Sequence, residues 1–281
     1  TANRGMRLAE QQDVILLNSD TVVADGWLDA ITKVAKSSEE IATVTPISNN
    51  ATICSFPNFC SDNELPEGYD VAALARLCAS NTSEPVELPT AHGYCMFIKR
   101  QALNEIGYFD EQAWGKGYGE ENDFSMRATK LGWKHVSTNK TFIQHIGSVS
   151  FAEDAAGFIE NNLSKLNDLY PDYPGLVQEF VINDPMRRLR NELAEKLLIN
   201  ELNTASVLAP AKGKAILFVS LSFGGGTKKS SDDLARMLAR EGQAVFLLTT
   251  KDNIIWNVQS YKSNISVQFK IAEEKSEFFS F

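Results

Sequence analysis

Apolar residues come in short unbroken runs along this chain, set between stretches whose apolar positions recur every three or four residues. Val14 to Leu17 form the first run, and it ends abruptly in Asn18, Ser19 and Asp20. An aliphatic run of this length without alternation predicts a strand covered on both faces. That places a strand over 13–17, behind a short helix over 3–12. VVADGWLDAITKVAKSS then leads into a helix from about 26 to 37, and IATVTPIS predicts a second buried strand. Asn, Pro and Gly scattered over 48–70 predict loop. DVAALARLCAS predicts a helix around 70–80, ELPTAHGYCMFIKR a strand ending in basic residues, and QALNEIG another helix. Strands alternating with helices predict an α/β fold with a mixed, mostly parallel sheet and flanking helices.

From 155 to 203 the period becomes helical throughout, and PMRRLRNELAEKLLINEL is an amphipathic helix. The small, polar and Pro/Gly-bearing residues of 204–213 predict a linker. The pattern then restarts. AILFVSLSF predicts a strand, GGGTKK a turn, SSDDLARMLAREG a helix and QAVFLLTT a second strand. That is one βαβ unit, the opening of a Rossmann-like domain over 214–281.

Composition narrows the function classes. The chain has 281 residues, 43% of them hydrophobic, which suffices for one large core or two smaller ones. A net charge of -9 and a pI of about 5.0 argue against nucleic acid as a partner. No apolar run reaches the length of a membrane span. Cys54, Cys60, Cys78 and Cys95 lack metal-type CxxC spacing and read as reduced thiols of a cytosolic protein. With no signal peptide and Thr1 in first place, the chain reads as a piece of a longer one.

Three clusters carry candidate chemistry. Asn18-Ser19-Asp20 ends a strand, where ligands of open α/β sheets bind. Its oxygens suit Mg²⁺ or Mn²⁺, and they equally suit a turn that satisfies backbone groups. In GKGYGEENDFSMRATKLGW, Gly115, Gly117 and Gly119 would let the backbone approach a ligand, and Glu120, Glu121 and Asp123 follow. Carboxylates at a helix N-terminus are favoured by its dipole. Three within four residues also repel one another, which raises the pKa of one toward general-base use. In TFIQHIGSVSF, His145 follows an apolar strand and is either a core histidine or a metal ligand.

Taken together, NRGMRLAE, DVILLNSDT, GYCMFIKRQALNEIGYFDE, GKGYGEENDFSMRATKLGW and FIQHIGSVSF resemble, in order and spacing, the inverting family 2 glycosyltransferases of GT-A fold. The resemblance covers about residues 1–200. It implies a partial GT-A domain over 1–154 followed by a helical extension over 155–203. Asp20 matches the last Asp of the DxD motif, which would hold Mn²⁺ or Mg²⁺ on the donor's diphosphate, with His145 completing the coordination. Asn18 stands where the first Asp usually contacts the donor. Glu120-Glu121 matches the Glu-Asp pair of the acceptor loop, here Gly117, Tyr118, Gly119 and Glu120. That makes Glu121 the base and Asp123 the alternative. Trp114, Tyr118 and His92 either line the sugar or acceptor pocket or simply pack.

The residues of 215–250 are similar to the start of a family 4, GT-B-type glycosyltransferase. Ser230 stands there where that family often has a histidine. The two resemblances imply an enzyme of surface polysaccharide synthesis, cytoplasmic or at the inner face of a bacterial membrane. Its partners would be a nucleotide-sugar donor and a glycan or lipid-linked acceptor, with peripheral membrane association left open. Two rival readings remain: a nucleotidyltransferase, and a catalytically degenerate domain that binds carbohydrate or a partner enzyme.

Overall fold

The segment IATVTPIS is buried at all eight positions and forms the spine of the first sheet. The computed structural model describes residues 1–115, 119–147, 155–208, 215–220, 226–251, 255–263 and 265–270. The chain divides into two units, one of residues 1–65 and 69–186, the other of 66–68 and 187–281. The first runs α1 (Ala2–Leu8), β1 (Val14–Leu17), β2 (Thr21–Val22), α2 (Trp27–Ala35) and β3 (Ile41–Ser48), then a 3-10 turn (Thr52–Cys54) and α3 (Val71–Ala79). It continues through β4 (Val86–Leu88), β5 (Cys95–Ile98), α4 (Arg100–Ile106), α5 (Glu111–Trp114), α6 (Glu120–Lys130), β6 (Lys134–His145), α7 (Ala155–Leu169) and α8 (Tyr173–Asn183).

Its sheet has the order β1-β5-β3-β6-β2, with β4 also paired to β6, and helices flank it. Only β3 and β6 run parallel; the β1–β5, β3–β5, β4–β6 and β2–β6 pairs are antiparallel. The sheet is therefore mixed, but not mostly parallel as the alternation of elements predicts. An unbroken apolar run carries no strand direction: the central strands β3 and β5 are buried throughout, whereas β1, predicted to be covered on both faces, is an edge strand with Leu17 exposed. The predicted strand ELPTAHGYCMFIKR is in fact two strands, β4 and β5, joined by residues 89–94.

Pro46 lies inside β3, where the β3–β6 register shifts between Pro46 and Ile47. Proline has no N–H for the ladder, so a register shift is where a central strand tolerates it. On one face, Met6, Val14, Met96, Ile98, Leu103, Phe109 and Phe124 form a core that holds α1, α4 and α6 to the sheet. A second cluster packs Trp114 and Met126 against Leu166, Tyr170 and Tyr173, which fixes α7 and α8 beside α6.

The second unit runs α9 (Arg187–Leu208), β7 (Ile216–Ser220), α10 (Gly226–Arg240), β8 (Val245–Lys251), β9 (Ile255–Ser260) and β10 (Ser266–Lys270). Helix α9 continues to Leu208, five residues into the stretch whose small residues suggest a linker. Helix α9, most of which lies in the stretch 155–203 that the sequence reads as a helical extension, groups with this second unit. Strands β7 and β8 are parallel around α10, as the βαβ pattern predicts. Strands β9 and β10 then return antiparallel, so the sheet β10-β9-β8-β7 does not continue as a Rossmann-like series. Among the described residues no helix is long and apolar enough to cross a membrane.

Candidate active site

The first strand end meets the last one. After Leu17 the backbone N–H of Asn18 donates to Tyr94 O at 2.9 Å, and Thr21 Oγ1 turns back onto Asn18 O at 2.8 Å. The turn delivers the chain into β2, whose two residues pair with the end of β6, Thr21 opposite His145. Asp20 is thus held beside His145 by a two-residue ladder. The backbone N–H of Ile146 donates to Asp20 O at 2.9 Å, and that of Gly147 to Asp20 Oδ2 at 3.2 Å. Asp20 Oδ2 lies 3.4 Å from His145 Nε2, with the side chains 19% and 14% exposed. They are fixed on most sides and still open to a ligand.

The other ring nitrogen decides the tautomer. His145 Nδ1 lies 2.7 Å from the Asn50 carbonyl, which can only accept, so Nδ1 carries the proton. Nε2 is then the nitrogen that faces Asp20, with Asn18 Nδ2 3.4 Å away. An imidazole lone pair beside a carboxylate is a donor set for a divalent cation. Neighbouring ligands on an octahedral ion with bonds of about 2.1 Å stand about 3 Å apart, close to the spacing of this pair. Among the described residues no third His, Cys, Asp or Glu joins them, so further ligands would have to come from substrate or water.

Tyr94 connects this corner to the carboxylate cluster. Its ring stacks on His145 with centroids 5.3 Å apart, and its hydroxyl donates to Pro46 O at 2.5 Å. The preceding residue, Gly93, faces Glu121: a Cβ at position 93 would lie 3.5 Å from Glu121 Oε1. The loop before Gly93 is bonded to α6 through Ala91 and Thr90. The Ala91 N–H donates to Ser125 Oγ at 3.0 Å, and Ser125 Oγ donates to Glu121 O at 2.7 Å. Thr90 Oγ1 adds a bond to Asn122 Oδ1 at 2.8 Å.

Glu121 stands in the first turn of α6, with Glu120 before it. Burial first, and the Glu120 charge second, push its carboxyl up to about 7. The Tyr173 phenol is pushed up to about 12 by burial first and by the nearby Glu121 charge second. Tyr173 from α8 therefore belongs to the surroundings of Glu121.

Asp123 does something else. Its Oδ2 accepts from Arg127 Nε at 2.9 Å and its Oδ1 from Tyr170 OH at 2.6 Å. Arg127 in turn donates to the carbonyls of Ile106 and Tyr108. With both oxygens engaged and the residue buried, Asp123 is a strut between α6, α7 and the loop after α4. Asp123, the alternative base of the sequence reading, thus already accepts one hydrogen bond on each oxygen.

Of the remaining sequence candidates, Gly119 caps α6 at φ +136, where a Cβ would fall 2.6 Å from Trp114 Cε3. Trp114 is buried in the α5–α8 cluster, a packing position. His92 is partly buried, 3.0 Å from Thr52 Oγ1 through Nε2 and edge-on to Tyr94 at 5.5 Å. Burial first and His145 second hold its pKa down at about 4, so it is neutral. Gly117 and Tyr118 lie outside the described residues. The third histidine, His135, is a core residue: Nε2 donates to Ser125 O and Nδ1 accepts from Thr43 Oγ1 at 2.7 Å.

Sequence reasoning missed Asn49, Asn50, Gly93, Tyr94, Gly147 and Tyr173. A signal for the asparagines existed: Ser48-Asn49-Asn50 ends the second buried strand as Asn18-Ser19-Asp20 ends the first.

The family model described as "Glycosyltransferase like family 2" matches residues 1–163. No curated protein matches the chain. A solved structure, "Crystal structure of GalNAc-T7 with UDP, GalNAc and Mn2+", is similar at 16% identity and a TM-score of 0.39. The similarity covers 71% of this chain and 43% of that one, so the chain spans less than half of that neighbour's length.

Proposed function

The chain belongs to glycosyltransferase-like family 2, and we propose that its first unit transfers a sugar from a nucleotide-sugar donor to a hydroxyl of a glycan or lipid-linked acceptor, with inversion. The observation that carries this reading is the meeting of Asp20 Oδ2 and His145 Nε2 at 3.4 Å, joined through Tyr94 and Gly93 to the carboxylate of Glu121. Positions 20, 93–94, 121 and 145 come from four separate parts of the chain.

Asp20 and His145 would hold Mn²⁺ or Mg²⁺ against the donor's diphosphate, with Asn18 beside them on the donor side. Bound there, the ion would neutralise negative charge gathering on the departing phosphate. Glu121 takes the proton from the acceptor hydroxyl as that oxygen attacks the anomeric carbon. A carboxyl raised to about 7 is matched to this task, because it is a stronger base than an ordinary carboxylate yet is ionised near neutral pH. Asp123 and Arg127 keep α6 in place and thereby keep Glu121 against Gly93.

The test is Glu121→Gln in the full chain. Positioned base catalysis contributes about 10²–10⁴-fold, so turnover should fall by that range while nucleotide-sugar affinity stays within about twofold. Asp123→Asn should instead lower the unfolding midpoint, since it weakens a buried ion pair. Undiminished transfer by Glu121→Gln would take the base role away from it.

A second reading has one observation in its favour. Asn18 occupies the place of a charged donor-site residue, which fits a degenerate domain that binds carbohydrate or a partner. Calorimetry with a nucleotide diphosphate, with and without Mn²⁺, separates the two, because only the transferase requires metal-dependent heat. For the second unit, the parallel β7–α10–β8 arrangement supports a Rossmann-like opening similar to family 4. The antiparallel β9 and β10 that follow weigh against it.

A further inference from the structure

His145 is held by a side chain that imitates a strand. Asn49 Oδ1 accepts the His145 backbone N–H at 2.8 Å, and Asn49 Nδ2 donates to the His145 carbonyl at 3.0 Å. This is the paired donor and acceptor of a β ladder, supplied by an amide side chain just past the last backbone pair, Ser48 opposite Ile143. The second hydrogen of Asn49 Nδ2 goes to Asn63 O at 2.9 Å. Asn63 returns both its backbone N–H and its side-chain amide to Asn49 O, at 3.1 and 3.0 Å. The amide of Asn49 is therefore fully used, and its orientation is determined from both sides.

The next residue sets the ring. Asn50 O accepts the hydrogen bond from His145 Nδ1–H. Asn50 Nδ2 lies where a Cβ of Gly147 would be, 2.3 Å away, and Gly147 has φ +68. Only glycine lets the chain pass under Asn50 and still bring its N–H to Asp20 Oδ2. One loop thus fixes the backbone of His145, the tautomer of its ring and the approach to Asp20.

We infer that Asn49 is a positioning residue for the candidate cation site: it clamps the His145 backbone so that Asn50 O locks the ring as the Nδ1–H tautomer and Nε2 faces Asp20. The inference rests on the reading of Asp20 and His145 as cation ligands, and it names which residues outside the ligand pair make that reading work. Partners that orient a ligating histidine typically contribute 10–100-fold to metal affinity.

The experiment uses the full chain with Asn49→Ala and the nearly isosteric Asn49→Asp, the latter guarding against a cavity effect. Two readouts are taken. The first is ¹⁵N NMR of the His145 ring at a pH where it is neutral, without metal. The second is Mn²⁺ affinity in the presence of inorganic pyrophosphate. Wild type should give a single Nδ1–H tautomer. Both variants should show Nε2–H tautomer appearing, with Mn²⁺ affinity reduced 10–100-fold and the fold retained by circular dichroism. A folded variant of either kind that keeps the single tautomer, or that binds Mn²⁺ within twofold of wild type, overturns the inference. If wild type itself binds no Mn²⁺ with pyrophosphate, the cation reading fails, while the tautomer result still decides what Asn49 does.

Discussion

Two neighbouring carboxylates at the start of α6 illustrate how strongly environment divides residues of one chemical type. Glu121 is half-buried beside Glu120, and its carboxyl is pushed up to about 7. Asp123, two positions on, is buried with a guanidinium and a phenol on its oxygens. The sequence places all three acids in one cluster but carries no information on which one finds Arg127. A pH prediction belongs at this scale. A general base works deprotonated, so kcat/KM should rise with pH through about 7 and then level off. Glu120→Gln removes the like charge that helps raise Glu121, and the acid limb should move to lower pH. An unmoved limb would mean that Glu121 does not set it. The stability sign runs the other way. A carboxyl whose folded pKa is raised stabilises the fold below its unfolded pKa, and that contribution is lost as pH rises through about 7. The loss amounts to at most about 3 kcal/mol for a shift of this size, and Gln at 121 should abolish it.

At the scale of elements, the hydrophobic pattern located the cores of β1, α2, β3, α3 and α4 within a few residues. Burial of one face or two leaves a local trace in the sequence, which is why those elements were legible. Strand direction and pairing leave none, so the sheet is mixed as predicted but mostly antiparallel in its pairs. The residues joining β4 to β5 were lost inside one predicted strand, although they bring His92, Gly93 and Tyr94 to the site. Asn49 was lost for the same reason, because its partner is 96 residues away. The ends of α6 offer a measurement of how one element is placed. Gly119 and Gly132 both have positive φ, +136 and +86. A Cβ at 132 meets nothing within 4 Å, so Gly132→Ala should cost only backbone strain, about 1–2 kcal/mol. Gly119→Ala adds the collision with Trp114 and should cost about 3 kcal/mol or more in chemical denaturation, with turnover falling further than stability explains. Equal costs at the two glycines would show that Trp114 does not fix the entry into α6.

On the scale of the whole molecule, every residue argued to bind or react lies in the first unit. Asn18, Asp20, Asn49, Glu121 and His145 precede residue 146, and the helices that pack around α6 end at Asn183. The first unit has its own sheet and its own cores, which are the physical conditions for folding as a unit. The second has a separate four-stranded sheet with α9 grouped to it. This division predicts that residues 1–186 expressed alone unfold in one cooperative transition and bind Mn²⁺ with pyrophosphate as tightly as the full chain. The measurement is calorimetric titration of the two proteins side by side. Equal affinity would place the whole cation site within the first unit, since a site sharing ligands with residues 187–281 could not survive their removal. A loss of more than tenfold, in a protein that still melts cooperatively, would mean that the second unit supplies part of the site. Asp20 and His145 would then be an incomplete account of how the donor's diphosphate is held.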